Sequence, residues 1–417
     1  MVVAAVVAAT TIVPLGCGGD DVPLGPTPTP TPLPSPSVTS VTIVPSFSAS
    51  AGFDVGAGEG GFLVAYASAA AGSTTAIYGV RLGDGGAVVD QTPFLVSVAQ
   101  SGGYLSDPSW TDPAVGFDGT SYAVAYAGTG TTQGIPAAAI TAVLVDPQAN
   151  VGTPVDLAET AQIGTCESDV VPPPAIAGTS ASFAALWPIE EGCAGGPVLD
   201  RLDGAFATPD GAGLSVAEID GLLPPVDDQP LVSSAASVAS SGTTTVATWT
   251  EGQDGASAAV VEVAVLAPSG VERVTLASTG VGFVRPAIAS DGSDYLVVWV
   301  GQLNAVQGAR FQPGSTPPDG PAGFPIEPSD AAKGNPRLAF GDGTYLVAWT
   351  VPAAGGSYDL QIVEVSPPAT IGAVETVATG LSSADVAIAF SGDAFLITFQ
   401  RAANAGTTSL EGVLIRP

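Results

Sequence analysis

An apolar stretch framed by large, usually aromatic, residues returns seven times along the chain. It reads FLVAY at Phe62–Tyr66, YAVAY at Tyr122–Tyr126, FAALW at Phe183–Trp187 and TVATW at Thr245–Trp249. It continues as YLVVW at Tyr295–Trp299, YLVAW at Tyr345–Trp349 and FLITF at Phe395–Phe399. Successive copies begin roughly 50 to 62 residues apart, a spacing that marks one folded unit repeated. Within each copy the apolar residues are continuous rather than alternate. A sheet with one wet face alternates, so both faces of each sheet here must be covered.

The fifth copy shows the internal plan. Pro286–Ser290 predicts a short strand, Asp291–Asp294 a turn and Tyr295–Val300 a second strand, followed by strands at Val306–Phe311 and Phe324–Glu327. The sixth repeats it with Pro336–Phe340, Tyr345–Thr350, Asp359–Val365 and Val374–Ala378. Asp-Gly between two apolar runs signals a tight hairpin, because such turns need positive φ. Four-stranded antiparallel sheets set radially, each covered by two neighbours, satisfy the two-sided apolar pattern. The predicted fold is therefore all-β, a seven-bladed β-propeller. Six or eight blades compete with this reading, because the third unit is irregular.

Closure adds a further expectation. The seventh unit contains Asp385–Phe390, Phe395–Gln400 and Leu410–Ile415, and then the chain ends without a fourth strand. Val38–Val44 is a β-rich segment belonging to no other unit. It is predicted to pair with Leu410–Ile415, completing the last blade and removing an exposed edge. The chain resembles bacterial propeller repeats of the form P-A-[VI]-A-x-D-G-x-x-Y-L-V-x-W followed by G-x-R. The resemblance rests on Asp291–Trp299 with Gly308 and Arg310, on Asp118–Tyr126 and on Ile77–Arg81. It covers roughly Phe53 to Pro417 and implies the fold while saying little of function.

The amino-terminal segment has a different character. Val2–Leu15 is an apolar run, too short to span a bilayer comfortably, that suits the hydrophobic region of a signal peptide. Its ending, Leu15-Gly16-Cys17, resembles the lipobox of bacterial lipoproteins, which implies lipidation at Cys17. Pro14 departs from that pattern, and no Lys or Arg precedes the run, which predicts a start codon upstream of Met1. Pro23–Ser37 alternates proline with small residues. Polyproline geometry there reaches about 45 Å at about 3.1 Å per residue, a spacer between anchor and body. The expected domains are a signal segment at 1–17, a disordered linker at 18–37 and the propeller at 38–417.

Composition narrows the chemistry. The chain carries 39 acids against 9 bases, a formal charge of −30. A surface so acidic repels phosphate backbones and argues against nucleic-acid partners. There is no histidine, which removes the commonest general base, the commonest zinc ligand and the usual partner of a nucleophilic Ser or Cys.

Three groups of residues stand out as candidate sites. Cys166 falls in the loop entering the third blade and Cys193 between that blade's second and third strands. In an oxidising compartment they are expected to form a disulfide, worth roughly 3 kcal/mol by the loop-entropy argument. Glu167, Asp169, Glu190 and Glu191 flank them, a set of hard oxygen donors that suits calcium, although a solvated acidic loop is the favoured reading. No other cofactor is expected. Trp110, with Tyr104, lies off the repeat on the loop Gly102–Pro113, where it either packs the loop, the favoured reading, or offers a stacking platform for a sugar or peptide.

These readings converge on an exported propeller acting as a noncatalytic binding or scaffolding module. Its setting is the cell envelope, with an outer-membrane lipid anchor in a Gram-negative bacterium. The expected partner is an envelope protein or glycan, the expected state a monomer, and membrane contact runs through the lipid alone. Two alternatives stay open: a secreted, carboxylate-dependent hydrolase acting on carbohydrate, and a purely structural envelope component.

Overall fold

The computed structural model describes residues 37–417 except 48, 70–74, 98–105, 133–134, 162–165, 168–172, 194–198, 212, 220–221, 223–230, 234, 254–258, 269 and 405–406. The signal segment, Cys17, most of the linker, Tyr104 and Asp169 therefore lie outside the described residues. Seven antiparallel sheets follow one another along the chain. No helix among the described residues is long and apolar enough to cross a membrane.

The repeated apolar stretch forms the second strand of every sheet: Gly61–Ala69, Tyr122–Thr132, Phe183–Cys193, Thr245–Gln253, Tyr295–Val300, Thr344–Pro352 and Phe395–Asn404. Its side chains are buried on both faces, and Trp249, Trp299 and Trp349 are among the largest fully enclosed groups. Each sheet packs on the next through a shared apolar cluster. One cluster joins Leu346 and Ala348 of the sixth sheet to Phe395 and Ile397 of the seventh. Another joins Ala387 and Leu396 of the seventh to Phe62 and Val64 of the first. Sheet seven thus packs on sheet one, and the result is a seven-bladed β-propeller.

Repeat chemistry sets the local geometry. In the first hairpin of the fifth blade, Asp291 Oδ1 accepts the amides of Ser293 and Asp294 at 2.9 and 2.7 Å. Gly292 takes φ 98° there, which a residue with a Cβ adopts only under strain. The third-strand Gly of the G-x-R motif has a packing reason. Gly79 and Gly308 lie opposite Phe94 and Phe324 of the fourth strands, and a Cβ on Gly79 would stand 2.5 Å from the Phe94 ring. The Arg of the motif is structural too. Arg81 donates through Nε and Nη2 to the two oxygens of Asp90 at 2.9 and 2.6 Å, and Arg310 grips Asp319 in the same way.

Ring closure follows the expected course. Ser37–Phe47 pairs antiparallel with Thr407–Arg416, with Val38 opposite Ile415 and Val44 opposite Leu410. The last blade thus takes its outermost strand from the front of the chain. Three blades depart from four plain strands. In the third and fourth, two separate segments pair with the second strand, and in the sixth the outer strand is split into Thr370–Ile371 and Glu375–Leu381. The cysteines also differ from expectation. Neither sits in a loop: Cys166–Glu167 is a two-residue strand and Cys193 ends the second strand, with Cys166 directly opposite Cys193. Extending the hairpin beyond the blade's apolar stretch turned both loop ends into paired backbone.

The latch should dominate stability. Ile43, Val44 and Phe47 are buried in the cluster between the seventh and first blades. Phe47→Ala is expected to cost about 3–5 kcal/mol, the range for large aromatic truncations, in urea unfolding. Deleting residues 37–47 should abolish the cooperative transition. An unchanged midpoint for both would contradict closure by this strand.

Candidate functional site

The innermost strands come from Ala49–Gly58, Ser106–Phe117, Ala175–Gly178, Ser237–Ser240, Ala287–Ser290, Arg337–Gly341 and Val386–Phe390. One register position in each pairs with the middle residue of the repeated stretch. It holds Val55, Val115, Ile176, Val238, Ile288, Leu338 and Ile388. All seven border one axial cavity of about 440 Å³. That lies within the ~300–1,000 Å³ typical of small-molecule sites.

Charge enters this cavity at two levels. One residue before the reference position stand Asp54 in the first blade and Arg337 in the sixth. Three residues before it stand Asp112, Arg285 and Asp385 in the second, fifth and seventh. The remaining blades place small, apolar or amide residues at those positions, among them Ala114, Ala175, Ser237 and Pro173. Successive odd offsets share one face of a strand, so the five charged groups converge from five blades.

Each carboxylate has a partner of its own. Asp54 Oδ2 accepts the Val115 amide at 2.8 Å, Asp112 is bonded by Thr111, and Asp385 Oδ2 accepts from Ser383 Oγ at 3.1 Å. The arginines do not. Arg337 Nη1 reaches only the Pro336 carbonyl, at 3.3 Å, and among the described residues Arg285 makes no hydrogen bond or ion pair. Other bases are engaged by acids: Arg81 with Asp90, Arg273 with Glu251, Arg310 with Asp319, Lys333 with Glu327 and Arg401 with Glu411. The two cavity arginines are half-buried and line the cavity.

The enclosure shifts proton affinities. Burial lowers the Arg337 guanidinium to about 9, and the neighbouring Arg285 charge adds to the effect. Arg285 is lowered by burial and partly restored by Asp54, Asp385 and Asp112. Burial raises Asp54 above its ordinary value despite the Val115 bond, and raises Asp112 likewise. Asp112 also holds φ 49°, a left-handed backbone that is uncommon for a residue with a Cβ and that concentrates at functional sites. Its neighbour across the blades is Gly52, where a Cβ would stand 2.5 Å from the Asp112 Cα.

The groups singled out from the sequence stand elsewhere. Trp110 lies on a strand, Ser106–Phe117, rather than in a loop. Its half-buried ring meets Tyr126 edge-on at 5.0 Å and packs on the cluster between the first and second blades. The ring is engaged in packing, the favoured of its two expected roles. Glu167, Glu190 and Glu191 fall on the strands that carry the cysteines. Among the described residues no group of three or more His, Cys, Asp or Glu is placed to hold a metal.

No family model and no curated protein matches this sequence. Solved structures do match in fold. A mutant of Trypanosoma rangeli sialidase displaying trans-sialidase activity aligns with TM-score 0.48 and 10% identity, over 91% of this chain and 59% of its own. The β-propeller domain of the trilobed protease of Pyrococcus furiosus aligns with TM-score 0.46 and 10% identity, over 86% and 93%. A prolyl endopeptidase aligns with TM-score 0.43 and 13% identity, over 89% and 50%. The chain thus spans about three fifths of the length of the sialidase. At these identities the likeness is one of architecture.

The electrostatics are open to direct measurement. A carboxyl whose folded value is raised binds its proton more readily in the fold than in the unfolded chain. Asp54 and Asp112 therefore take stability away as pH rises from the ordinary value through the raised one. Asp90 is held low by the Arg81 guanidinium and contributes stability that disappears as pH falls through its depressed value. In a ¹³C-detected NMR titration, Asp54 and Asp112 should titrate above 3.8 and Asp90 below it. Ordinary values at all three would contradict this account of the cavity.

Proposed function

We propose that the protein is an exported, lipid-anchored propeller of the bacterial cell envelope that acts as a noncatalytic binding module, taking its ligand in the axial cavity. One observation carries this reading. The cavity is roomy and bordered by all seven blades, and it holds two guanidiniums to which no carboxylate among the described residues is bonded. Unsatisfied buried cationic donors are costly, and a bound acceptor relieves that cost. Catalysis is disfavoured because each carboxylate already serves the protein's own amide or hydroxyl, and because histidine is absent.

The burial-raised Asp54 and Asp112, together in one cavity with Asp385, favour one alternative: a carboxylate-dependent hydrolase in which a protonated acid assists bond cleavage. A glycan and envelope-protein array run beside a chromogenic glycosidase screen separates the two. Binding without turnover is expected. Turnover that Asp112→Asn abolishes would replace the binding reading with the hydrolytic one.

The envelope setting rests on Cys17 and the proline-rich spacer, and it brings an oxidising compartment in which Cys166 and Cys193 form a disulfide. Backbone pairing sets these two residues directly opposite. Mass spectrometry of protein purified from its own cells should find a diacylglyceryl-modified Cys17 as the amino terminus and a Cys166–Cys193 cross-linked peptide. An unmodified amino terminus would remove the anchor, and two free thiols would remove the bridge.

A further inference from the structure

Resting on the axial cavity as the ligand site, we infer that its ligand is a small hydroxylated monocarboxylate, of the size and kind of a sugar acid, with the carboxylate held by Arg285 and Arg337. The argument begins with unmet donors. A guanidinium presents five N–H groups in a fixed fork, and among the described residues Arg285 has none of them bonded while Arg337 has one, to a backbone carbonyl. The two guanidiniums line one cavity, and the Arg285 charge disfavours the charged form of Arg337. One anion between them removes both penalties, and a planar carboxylate fits two forks.

Charge then limits the anion. Three aspartates share the cavity with two arginines, so the cavity already has the negative charge to balance its cations. A single added negative charge is tolerated where it meets both guanidiniums. A dianion such as a phosphate monoester brings a second charge into repulsion with Asp54, Asp112 and Asp385. The same aspartates select the rest of the ligand. Each has acceptor capacity beyond the one partner it holds, because a carboxylate offers about four lone-pair sites. Hydroxyl donors on the ligand supply what those oxygens lack. Among the described residues the cavity wall carries one aromatic ring, Phe53, and five charged side chains, so polar contacts outnumber stacking ones.

Two features show that the arrangement departs from the repeat. Arg285 and Arg337 flank the proline next to the inner strand, Pro286 and Pro336; Arg337 stands where five blades carry Ala or Ser, and Arg285 is the one base at a position that otherwise holds Gly52, Asp112, Pro173, Ala235, Asn335 and Asp385. Neither supports a blade, unlike Arg81 and Arg310, whose forks fasten the chain nine residues on. Asp112 is held in a left-handed backbone opposite a glycine that leaves room for it.

The test is isothermal titration calorimetry of the full-length mature protein with D-glucuronate, D-galacturonate and D-gluconate. Methyl D-glucuronate ester, D-glucose and D-glucose 6-phosphate serve as controls. At least one of the three acids should bind saturably, and at least tenfold more tightly than ester, glucose and glucose 6-phosphate. Arg285→Ala and Arg337→Lys should each weaken that binding at least tenfold, while Arg81→Ala should leave it unchanged. The acid-versus-ester comparison needs no variant, so it stands even if a substitution prevents folding. Binding of ester or phosphate as tight as the acid, or acid binding indifferent to both arginine variants, overturns the inference. If glucose or glucose 6-phosphate binds and Arg285→Ala abolishes it, the carboxylate assignment falls while the binding module stands. If no compound in the panel binds, the inference falls, and the array experiment judges the binding module separately.

Discussion

The second strand of each blade has no dry side to spare. Val64, Val124, Ala185, Ala247, Val297, Val347 and Ile397 are all completely buried, and so are most of their neighbours on either face. At about 25 cal/mol per Å² of apolar surface, exposing one face of any one sheet would cost more than a domain's usual margin of about 5–15 kcal/mol. A flat stack solves the problem for inner sheets and leaves two outer faces wet. A ring leaves none, and the twist of each small sheet lets neighbours pack radially. Everything else in the fold follows from that coverage, including the need to seal the last blade with Ser37–Phe47.

A ring also creates a centre. Inner-strand residues such as Val55 and Ile176 still pack in the clusters between blades, but the charged residues just before them line an axis that no blade can fill alone. Repetition is therefore strict in the blades and loose on the axis. Arg81 and Arg310 occupy one repeat position and perform one structural task, each gripping an aspartate. Arg285 and Arg337 occupy two different positions and meet only at the cavity. The chemistry of the molecule collects where the repeat breaks.

This division explains what the sequence disclosed. Strands Tyr295–Val300, Val306–Phe311 and Phe324–Glu327 were legible to the residue, because a repeat that recurs at a fixed spacing displays its own boundaries. The pairing of Val38 with Ile415 was legible because one blade lacked a strand and one segment lacked a blade. The cavity was not. Asp54, Asp112, Arg285, Arg337 and Asp385 span most of the chain, and no local spacing links them. The available signal was slight: two bases beside the inner-strand proline, one of them, Arg337, where most blades place Ala or Ser. Trp110 misled because an off-pattern aromatic reads as a loop, whereas a long inner strand and a glycine at position 128 make room for it against Tyr126. The cysteines were expected to come together, and they stand opposite one another; only their place on strands rather than loops was illegible, since extended pairing beyond the apolar stretch leaves no hydrophobic trace.

The most direct measurement is a crystal structure of the protein grown with the tightest-binding sugar acid. The account predicts its carboxylate within hydrogen-bond distance of both Arg285 and Arg337, at the centre of a ring whose last blade includes Ser37–Phe47. A ligand seated on the rim with the cavity arginines untouched, or an axial space filled by side chains, would contradict it.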